Sequence, residues 1–261
     1  MGVVNITPDS FSDGGAFLDP SAAVAQGMRL VEEGADMLDL GAESTRPGAA
    51  PVTEADELAR LLPVLKGLAD VPVPISVDTM KPGVMRAAID HGAGMINDIV
   101  ALAAPGAIET VAASDAAVCL MHMQGEPRTM QLNPTYGDVV REVAAFLQAR
   151  IEACVAGGIA AARIVVDPGF GFGKTVEHNL ELLRHLDVFA RMGAGVLSGW
   201  SRKSSLGKIT GRPTAERLVP SVAAAMLAAQ RGAKIIRVHD VAATRDALAV
   251  LAAVEGKASF Q

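Results

Sequence analysis

The sequence predicts an α/β fold, a (β/α)8 barrel (TIM barrel) in a single domain over residues 1–261. Short runs rich in Val and Ile alternate with longer Ala-rich stretches in which apolar residues recur at helical spacing. There are eight such runs, and their ends lie about 33 residues apart on average, the spacing that eight βα units need in a chain of about 250 residues. No low-complexity linker divides the chain. A doubly wound open sheet shows the same alternation, so it remains the alternative to a closed barrel.

Each predicted strand is a short apolar run bounded by polar residues or glycine. Such runs are consistent with buried strands when they are four to eight residues long. In chain order the strands are MGVVNI (1–6), ADMLDL (35–40), PISVD (74–78), MIND (95–98), AVCLMH (117–122), ARIVVD (162–167), GVLSGW (195–200) and KIIRVH (234–239).

The segments between the strands are long enough for a helix and two loops. After the first strand, Val24, Met28 and Val31 recur at helical spacing and predict the apolar face of a helix. The same spacing predicts a helix between the fifth and sixth strands, with its apolar face at Val139, Val143, Phe146 and Ile151.

Composition argues for a large core and against nucleic acid as the main partner. Half of the residues are hydrophobic and the formal net charge is −6. Without a basic run, the chain lacks the positive surface that duplex binding requires. With 7 Phe, 1 Tyr and 1 Trp, it also offers few aromatic platforms for single strands.

The sequence predicts neither a membrane span nor a disulfide. Its apolar stretches, such as 222–229 and 247–254, are shorter than the roughly 18 residues that a span needs. Residues 1–6 are interpreted as a strand of the folded protein and not as a targeting segment. Cys119 and Cys154 form no CxxC pair and are interpreted as small buried apolar residues, which favours the reducing cytoplasm.

Polar residues collect where the predicted strands end. In a barrel all of these ends meet at one mouth, so we expect one site there. A helix N-cap explains an Asp or Asn at such a place, but it does not explain Lys203, Arg237 and His239. These stand at the ends of the last two strands, where barrels commonly hold phosphate. The polar strand ends are Asn5, Glu43 to Arg46, Asp78, Asn97, Asp98, His122, Asp167, Ser201 to Lys203, Arg237 and His239.

Two loops at this mouth are rich in polar and turn-forming residues. TPDSFSDGG at 7–15 combines a Pro-Asp turn with two serine hydroxyls and a glycine pair. AESTRPG at 42–48 places Arg46 beside the rigid Pro47, where its guanidinium can clamp an anion.

The glycine-rich segment DPGFGFGKT at 167–175 fits neither common nucleotide motif. A dinucleotide fingerprint needs glycine where Lys174 or Val176 stands, and a P-loop needs glycine where Pro168 stands. We interpret the glycines as places where the backbone comes close to a flat ligand.

Four of the strand-end residues suit the edge of a planar nitrogen heterocycle. Asp78 and Asp167 offer acceptors, Asn97 both donates and accepts, and Lys203 donates. A pterin carries the complementary amino and oxo groups. A purine fits similar chemistry, and the residues by themselves leave that choice open.

Eight motifs in order resemble the dihydropteroate synthase family, and the resemblance extends over nearly the whole chain. The motifs are TPDSFSDGG (7–15), ESTRPG (43–48), SVDT (76–79), NDI (97–99), LMHMQG (120–125), DPGFGFGK (167–174), SRKS (201–204) and RVHD (237–240). The family joins 6-hydroxymethyl-7,8-dihydropterin diphosphate to p-aminobenzoate and releases pyrophosphate in folate synthesis. The resemblance implies a cytoplasmic homodimer that requires Mg²⁺ and is a target of sulfonamides.

The resemblance also implies a role for each matching residue. The pterin is expected at Asp78, Asn97, Met121, Asp167 and Lys203. The diphosphate is expected at Asn5, Arg46, Arg237 and His239, with Asn5 as a magnesium ligand. The p-aminobenzoate is expected at Phe11, Thr45, Pro47, Phe172, Ser201 and Lys203. The catalytic set is then Asn5, Asp78, Asp167, Lys203, Arg237 and His239.

The sequence departs from the family pattern at a few places. Family members usually have a further segment before the first strand, so we expect the barrel floor to be partly open. Trp200 replaces a usually small residue, and Val100 and Ala101 follow NDI where small polar residues are expected, so we expect a changed shape near the pterin pocket. His122 is interpreted as a supporting residue behind the site.

Two other functions remain open at this point. A methyltetrahydrofolate-dependent methyltransferase shares the pterin-binding barrel, but it has no use for a diphosphate site such as Arg237 and His239 would form. A non-catalytic pterin-binding protein would keep the heterocycle contacts without the anion site.

Overall fold

The computed structural model describes residues 1–7, 20–44, 49–127 and 129–256. They form one eight-stranded sheet in which every strand lies parallel to the next strand along the chain. The strands are β1 (Gly2–Asn5), β2 (Leu38–Gly41), β3 (Ile75–Asp78), β4 (Met95–Asp98), β5 (Ala117–Met121), β6 (Ile164–Asp167), β7 (Val196–Ser198) and β8 (Ala233–Ile236).

The sheet closes on itself through the residues that follow β8. Gly2 pairs in parallel with Val238. The amide of Val3 donates to the carbonyl of Val238 over 3.0 Å, and the amide of Val238 donates to the carbonyl of Met1 over 2.9 Å. The predicted (β/α)8 barrel is therefore confirmed, and the open sheet is excluded, because an open sheet would leave the first and last strands unpaired.

Ten α-helices lie between and after the strands in the described part of the chain. Several begin at a polar cap: the Thr53 hydroxyl accepts from the Asp56 amide, and Asp138 accepts from the Arg141 amide. The helices are α1 (Pro20–Glu32), α2 (Glu54–Gly67), α3 (Pro82–Asp90), α4 (Ala107–Ala112), α5 (Val139–Ala156), α6 (Val176–Arg184), α7 (Leu186–Ala190), α8 (Ser204–Thr210), α9 (Leu218–Gln230) and α10 (Val241–Val254). None of them is long and apolar enough to span a bilayer.

The core has two parts because strand side chains alternate between the two faces of the sheet. The larger part lies between the sheet and the helices. A smaller apolar cluster is built around Met95, Cys119 and Leu197, with Met1 and Met37 packed against it. Cys119 and Cys154 are both buried free thiols, as predicted.

The predicted apolar face of α1 is wrong at Met28, which is 52% exposed. The buried positions are Ala23, Gly27 and Leu30. A Cβ on Gly27 would lie 2.9 Å from a methyl carbon of Leu68, so this helix packs through its smallest residue. A pattern of large apolar residues does not reveal such a face.

Several strand boundaries also differ from the prediction; β6, for example, begins at Ile164 and β7 ends at Ser198. Residues 36 and 37 form a bend, so β2 begins at Leu38. The regular part of β8 stops at Ile236, although Val238 continues the pairing to β1. The predicted strand 35–40 thus included three residues, 35–37, that lie before β2.

Candidate active site

A cavity of about 960 Å³ opens at the carboxyl ends of the strands. Each predicted site residue in the described ranges lines it. Several are the last residue of their strand, so the barrel itself brings them together. They are Asn5, Asp78, Asn97, Met121, Asp167, Phe172, Ser201, Lys203, Arg237 and His239. The remaining four predicted residues, Phe11, Thr45, Arg46 and Pro47, lie outside the described residues.

Arg237 joins two carboxylates on neighbouring strands. Its Nε lies 2.6 Å from Oδ2 of Asp39, and its Nη2 lies 3.1 Å from Oδ2 of Asp78. Burial raises the pKa of Asp78 to about 7, against the opposing effect of Arg237. The pKa of Arg237 is itself raised by the two carboxylates, in spite of burial, so it is a permanent cation. A guanidinium has five N–H donors, and these two bonds leave others for an anion in the cavity.

Asp167 and Lys203 are two further charged residues that line the cavity. The Asp167 carboxylate is 5% exposed and accepts from the Gly169 amide over 2.7 Å. Burial raises the pKa of Asp167, while Lys203 opposes that shift. Burial also lowers the pKa of Lys203 to about 8, against the effect of Asp167. A partly desolvated ammonium beside a partly desolvated carboxylate suits a ligand that supplies both an acceptor and donors.

Lys203 is held at a fixed place by the glycine-rich segment. Its Nζ donates to the carbonyl of Phe170 and lies 4.8 Å from the centre of the Phe172 ring. Phe172 and Lys203, both predicted at the p-aminobenzoate, therefore present a cation and an aromatic face to one part of the cavity.

Ser201 and His239 connect the ends of the last two strands. Nδ1 of His239 lies 2.9 Å from Oγ of Ser201, and that oxygen also accepts from the His239 amide over 3.1 Å. The imidazole is thereby oriented by a hydroxyl at the site where the diphosphate is predicted.

Two of the three glycines of 167–175 do not act as the sequence interpretation proposed. Gly169, Gly171 and Gly173 all have positive φ, at 71°, 81° and 61°. A Cβ on Gly169 would lie 1.9 Å from the carbonyl oxygen of His122, and one on Gly173 would lie 2.4 Å from that of Gln124. These two glycines let the segment pack against the backbone after β5. Of the three, Gly171 lines the cavity.

His122 supports this packing, as predicted. It is 7% exposed, and its Nδ1 lies 3.0 Å from Nζ of Lys174. The same Nζ donates to the carbonyl of Phe172 over 2.9 Å. Burial lowers the pKa of Lys174 to about 7 and that of His122 to about 3. The pair therefore ties the glycine-rich segment to the end of β5 from behind the cavity.

The departures from the family pattern have a structural role away from the ligand space. Asp98 is fully buried and accepts from the amides of Val100 and Leu102, so it is a turn residue and not a cavity residue. Ala101 lies in this turn with φ 55° and is buried. The Trp200 ring packs against that of Phe170, with ring centres 4.9 Å apart and the planes tilted by 40°. The cavity lining includes neither Val100, Ala101 nor Trp200, although it includes their neighbours Ile99, Gly199 and Ser201.

Sequence reasoning missed several charged residues that support the site. Asp39 lies two positions before Gly41 on β2, so both residues are on the same face of the sheet, and Gly41 lines the cavity. This alternation along the strand is the sequence signal that could have identified Asp39. Nζ of Lys81 lies 2.6 Å from Oε2 of Glu43 and 2.5 Å from Oε2 of Glu57. These two ion pairs join the end of β2 to α2 and α3. Glu57 is fully buried in α2 and has no signature that separates it from a surface glutamate.

The donor set suits magnesium only together with a substrate. No group of three or more His, Cys, Asp or Glu side chains is arranged to hold a metal within the ranges that the structure describes. Asn5 supplies an amide oxygen at the cavity. Mg²⁺ commonly takes one or two protein oxygens and completes its octahedron with waters and phosphate oxygens, so this set fits a metal carried largely by a diphosphate.

Comparison with known proteins agrees with this geometry. Residues 1–239 match the family described as pterin binding enzyme. The chain is 49% identical to the dihydropteroate synthase of Haemophilus influenzae over 251 residues, which cover 96% of this chain and 91% of that protein. The chain belongs to the pterin binding enzyme family.

Solved structures of the family match the barrel over almost its whole length. The dihydropteroate synthase of Xanthomonas albilineans with 4-aminobenzoic acid is 54% identical, with a TM-score of 0.92, covering 97% of this chain and 92% of that one. The same enzyme in complex with 7,8-dihydropteroate is 52% identical, with a TM-score of 0.89 and the same coverage.

Proposed function

We infer that the protein is a dihydropteroate synthase, a transferase of folate biosynthesis. It joins 6-hydroxymethyl-7,8-dihydropterin diphosphate to p-aminobenzoate and releases pyrophosphate. One observation carries the proposal: the ten predicted site residues in the described ranges, which come from the carboxyl ends of seven of the eight strands, line a single cavity. Relatives about half identical over nearly the whole chain are named for this activity.

The pterin ring lies against Asp78, Asn97, Asp167 and Lys203, with Met121 packed on its face. The carboxylate of Asp167 accepts from ring N–H and amino groups, and Lys203 donates to the oxo group. Because these groups are partly or fully buried, each hydrogen bond forms in a low dielectric and is stronger than it would be in water.

The diphosphate lies toward Arg237 and His239, with Arg46 from the second loop. As the bond between the methylene carbon and the diphosphate oxygen breaks, its electrons move to the leaving group. Cations already fixed at that place stabilise the developing charge without reorganisation. The Arg237 guanidinium is fixed by Asp39 and Asp78, and the His239 imidazole is oriented by Ser201.

Magnesium is proposed at Asn5, bound mainly through the diphosphate. When bound, it supplies further charge stabilisation for the leaving phosphate oxygens. The chain's own part is to offer the Asn5 amide oxygen at the edge of the cavity.

The amino nitrogen of p-aminobenzoate then attacks the methylene carbon that the pyrophosphate has left, and it loses one proton as the C–N bond forms. Phe172, Ser201 and Lys203 are proposed to hold this substrate, together with Phe11, Thr45 and Pro47. Lys203, close to the Phe172 ring, supplies a cation for the substrate's carboxylate next to an aromatic face for its ring. No protein nucleophile takes part.

A methyltransferase and a non-catalytic binding protein fit the cavity less well. A methyl donor without phosphates gives Arg237 and His239 nothing to bind. A binding protein has no need for a complete anion site beside the pterin pocket.

Release of pyrophosphate from the pterin diphosphate, in the presence of p-aminobenzoate and Mg²⁺, tests the proposal. We expect release that depends on all three components, with 7,8-dihydropteroate formed in equal amount. Transfer of a methyl group from methyltetrahydrofolate would support the methyltransferase instead. Tight binding of the pterin with no turnover would support the binding protein.

A homodimer and a cytoplasmic location complete the proposal. Of the nine large apolar side chains that are exposed in the described ranges, six lie on α8, α9 and α10. Since α9 packs against both α8 and α10, these side chains belong to one region of the surface. Both cysteines are buried free thiols, which suits a reducing compartment.

A further inference from the structure

Asp39 is a buried carboxylate that bonds to residues of the site. It lies in the middle of β2 and has no exposed surface. It does not line the cavity. A charge in such a place is costly unless it is paired, so its partners indicate why it is there.

Both partners of Asp39 are cavity residues. Its Oδ2 lies 2.6 Å from Nε of Arg237 and accepts from Nδ2 of Asn97 over 3.2 Å. Arg237 follows β8, 198 residues away along the chain, and Asn97 lies in β4. One oxygen atom thus connects a residue proposed at the leaving group with a residue proposed at the pterin.

The contact with Asn97 also decides which way its amide points. A carboxylate can only accept, so the atom facing Asp39 must be the amide nitrogen. The carbonyl oxygen of Asn97 is then turned away from Asp39 and is available to accept from a ligand in the cavity that Asn97 lines. An Asn97 side chain with neutral surroundings would have no such preference.

We propose that Asp39 is a positioning residue for this site: it fixes the amide orientation of Asn97 and the guanidinium of Arg237. The inference rests on the proposed function, since it assumes that both partners touch substrate. Asp39 itself touches neither substrate. By holding Asn97 with its oxygen as the acceptor, it makes the pocket select a ring that presents an amino group at that point over one that presents an oxo group.

Asp39→Asn is the direct test, because it keeps the shape of the side chain and removes the constraint on Asn97. Titration calorimetry is performed with 6-hydroxymethyl-7,8-dihydropterin and with the analogue in which the amino group is replaced by an oxo group. We expect the preference for the amino compound to fall at least about tenfold, the effect of one lost charge-assisted hydrogen bond. We also expect kcat to fall at least about tenfold because Arg237 is no longer fixed.

Ser76→Ala is the matched control. Ser76 is the register partner of Asp39 on β3 and is equally buried, but its hydroxyl bonds neither Arg237 nor Asn97. We expect its ligand preference and kcat to stay within about twofold of the wild type. A loss of the same size in Ser76→Ala would assign the effect to general disturbance of the barrel interior and overturn the proposal.

Asp39→Ser provides a second variant in case Asp39→Asn does not fold. Its hydroxyl both donates and accepts, so it also removes the preference for one amide orientation. A folded variant of either kind with wild-type discrimination and kcat contradicts the proposal, and so does failure of both variants to fold, since Asp39 would then serve stability alone. If the wild type binds no pterin, the proposed function fails first, and calorimetric binding of pyrophosphate, compared between the wild type and Asp39→Asn, still reports on Arg237.

Discussion

Arg237 balances one fully buried carboxylate, Asp39, and one half-buried carboxylate, Asp78, and is proposed to stabilise the leaving group. With Asp39 and Asp78 on one side and the cavity on the other, it serves structure and chemistry through different N–H groups. The motif RVHD indicated only the second role. The ion pairs were beyond sequence reasoning because their partners are 198 and 159 positions away.

Arg237→Ala is expected to lower both turnover and stability. Loss of a fixed cation at the leaving group lowers kcat by about 100-fold or more. Removal of the partner of fully buried Asp39 and half-buried Asp78 lowers the free energy of unfolding by about 3 kcal/mol. Pyrophosphate release and urea denaturation measure the two effects.

Arg191→Ala is the control for the stability effect. Arg191 pairs with Asp187 at 2.7 Å, and both side chains are more than half exposed. The unfolding free energy is expected to change by no more than about 0.5 kcal/mol. Equal stability of Arg237→Ala and the wild type would contradict the buried pairing.

Asp78 is expected to make stability depend on pH. Its pKa is about 7 in the folded protein, whereas the ordinary pKa of an aspartate side chain is 3.8. Burial is the chief cause of this rise. Between these values the folded protein binds the proton more tightly than the unfolded chain, so the stabilisation is complete below about pH 4 and is lost as the pH rises through about 7. In urea denaturation between pH 4 and 7, Asp78→Asn should show a smaller fall in unfolding free energy than the wild type. Parallel curves would show that Asp78 titrates normally.

Motifs predict which residues lie at the site, but they do not predict which of these residues form ion pairs or hydrogen bonds with each other. Asp78, Asp167 and Lys203 were found because each stands where an apolar run stops. Asp39 stands inside such a run, and Lys174 entered the sequence argument only as a mismatch to nucleotide motifs. Whether a buried charge finds a partner depends on which strands are brought together, and that is a property of the closed barrel.

At the level of elements, the glycine-rich segment after β6 shows how a loop is fixed beside a site. Gly169 has φ 71° and would place a Cβ 1.9 Å from the His122 carbonyl oxygen, whereas Gly211 has φ 72° and open space around it. The two positions share one backbone conformation and differ in packing. They therefore separate the cost of left-handed backbone from the cost of a close approach.

Gly169→Ala is expected to destabilise the protein more than Gly211→Ala. Both pay about 1 kcal/mol for an L-residue at positive φ. Gly169→Ala must also move the backbone after β5, which adds about 1–3 kcal/mol and displaces Phe172 and Lys203. Urea denaturation and the KM for p-aminobenzoate measure the two consequences. Equal effects of both substitutions would show that the close packing is unimportant.

The sequence predicts the type and the order of the helices and strands better than it predicts the residues at which they begin and end. All eight strands form where the apolar runs stand, because a buried parallel strand needs little more than such a run. The buried face of α1 could not be predicted from the sequence, because Gly27 and Ala23 allow close packing but are not strongly apolar. The beginning of β2 was placed too early because Ala35 and Met37 extend the apolar run into a turn.

For the whole molecule, closure decides where the site lies. The pairing of Gly2 with Val238 places the ends of β1 and β8 side by side. Asn5, proposed for magnesium, and His239, proposed for the diphosphate, come from opposite ends of the chain and meet only because the barrel closes. Periodicity predicted eight units, and the long-range pairing was needed to show that they form a ring.

We predict that the exposed apolar side chains on α8, α9 and α10 form the interface of a homodimer. Val219 is 75% exposed on α9 and Val254 is 81% exposed on α10. If these residues lie in a homodimer interface, a charge at either of them is buried on association and disfavours the dimer. Sedimentation velocity should show the wild type at twice the 26.9 kDa chain mass. Val219→Glu and Val254→Glu should shift it toward the monomer. Val155→Glu, at an exposed position of α5, should leave the mass unchanged, and a monomeric wild type or an equal shift in Val155→Glu would contradict this interface.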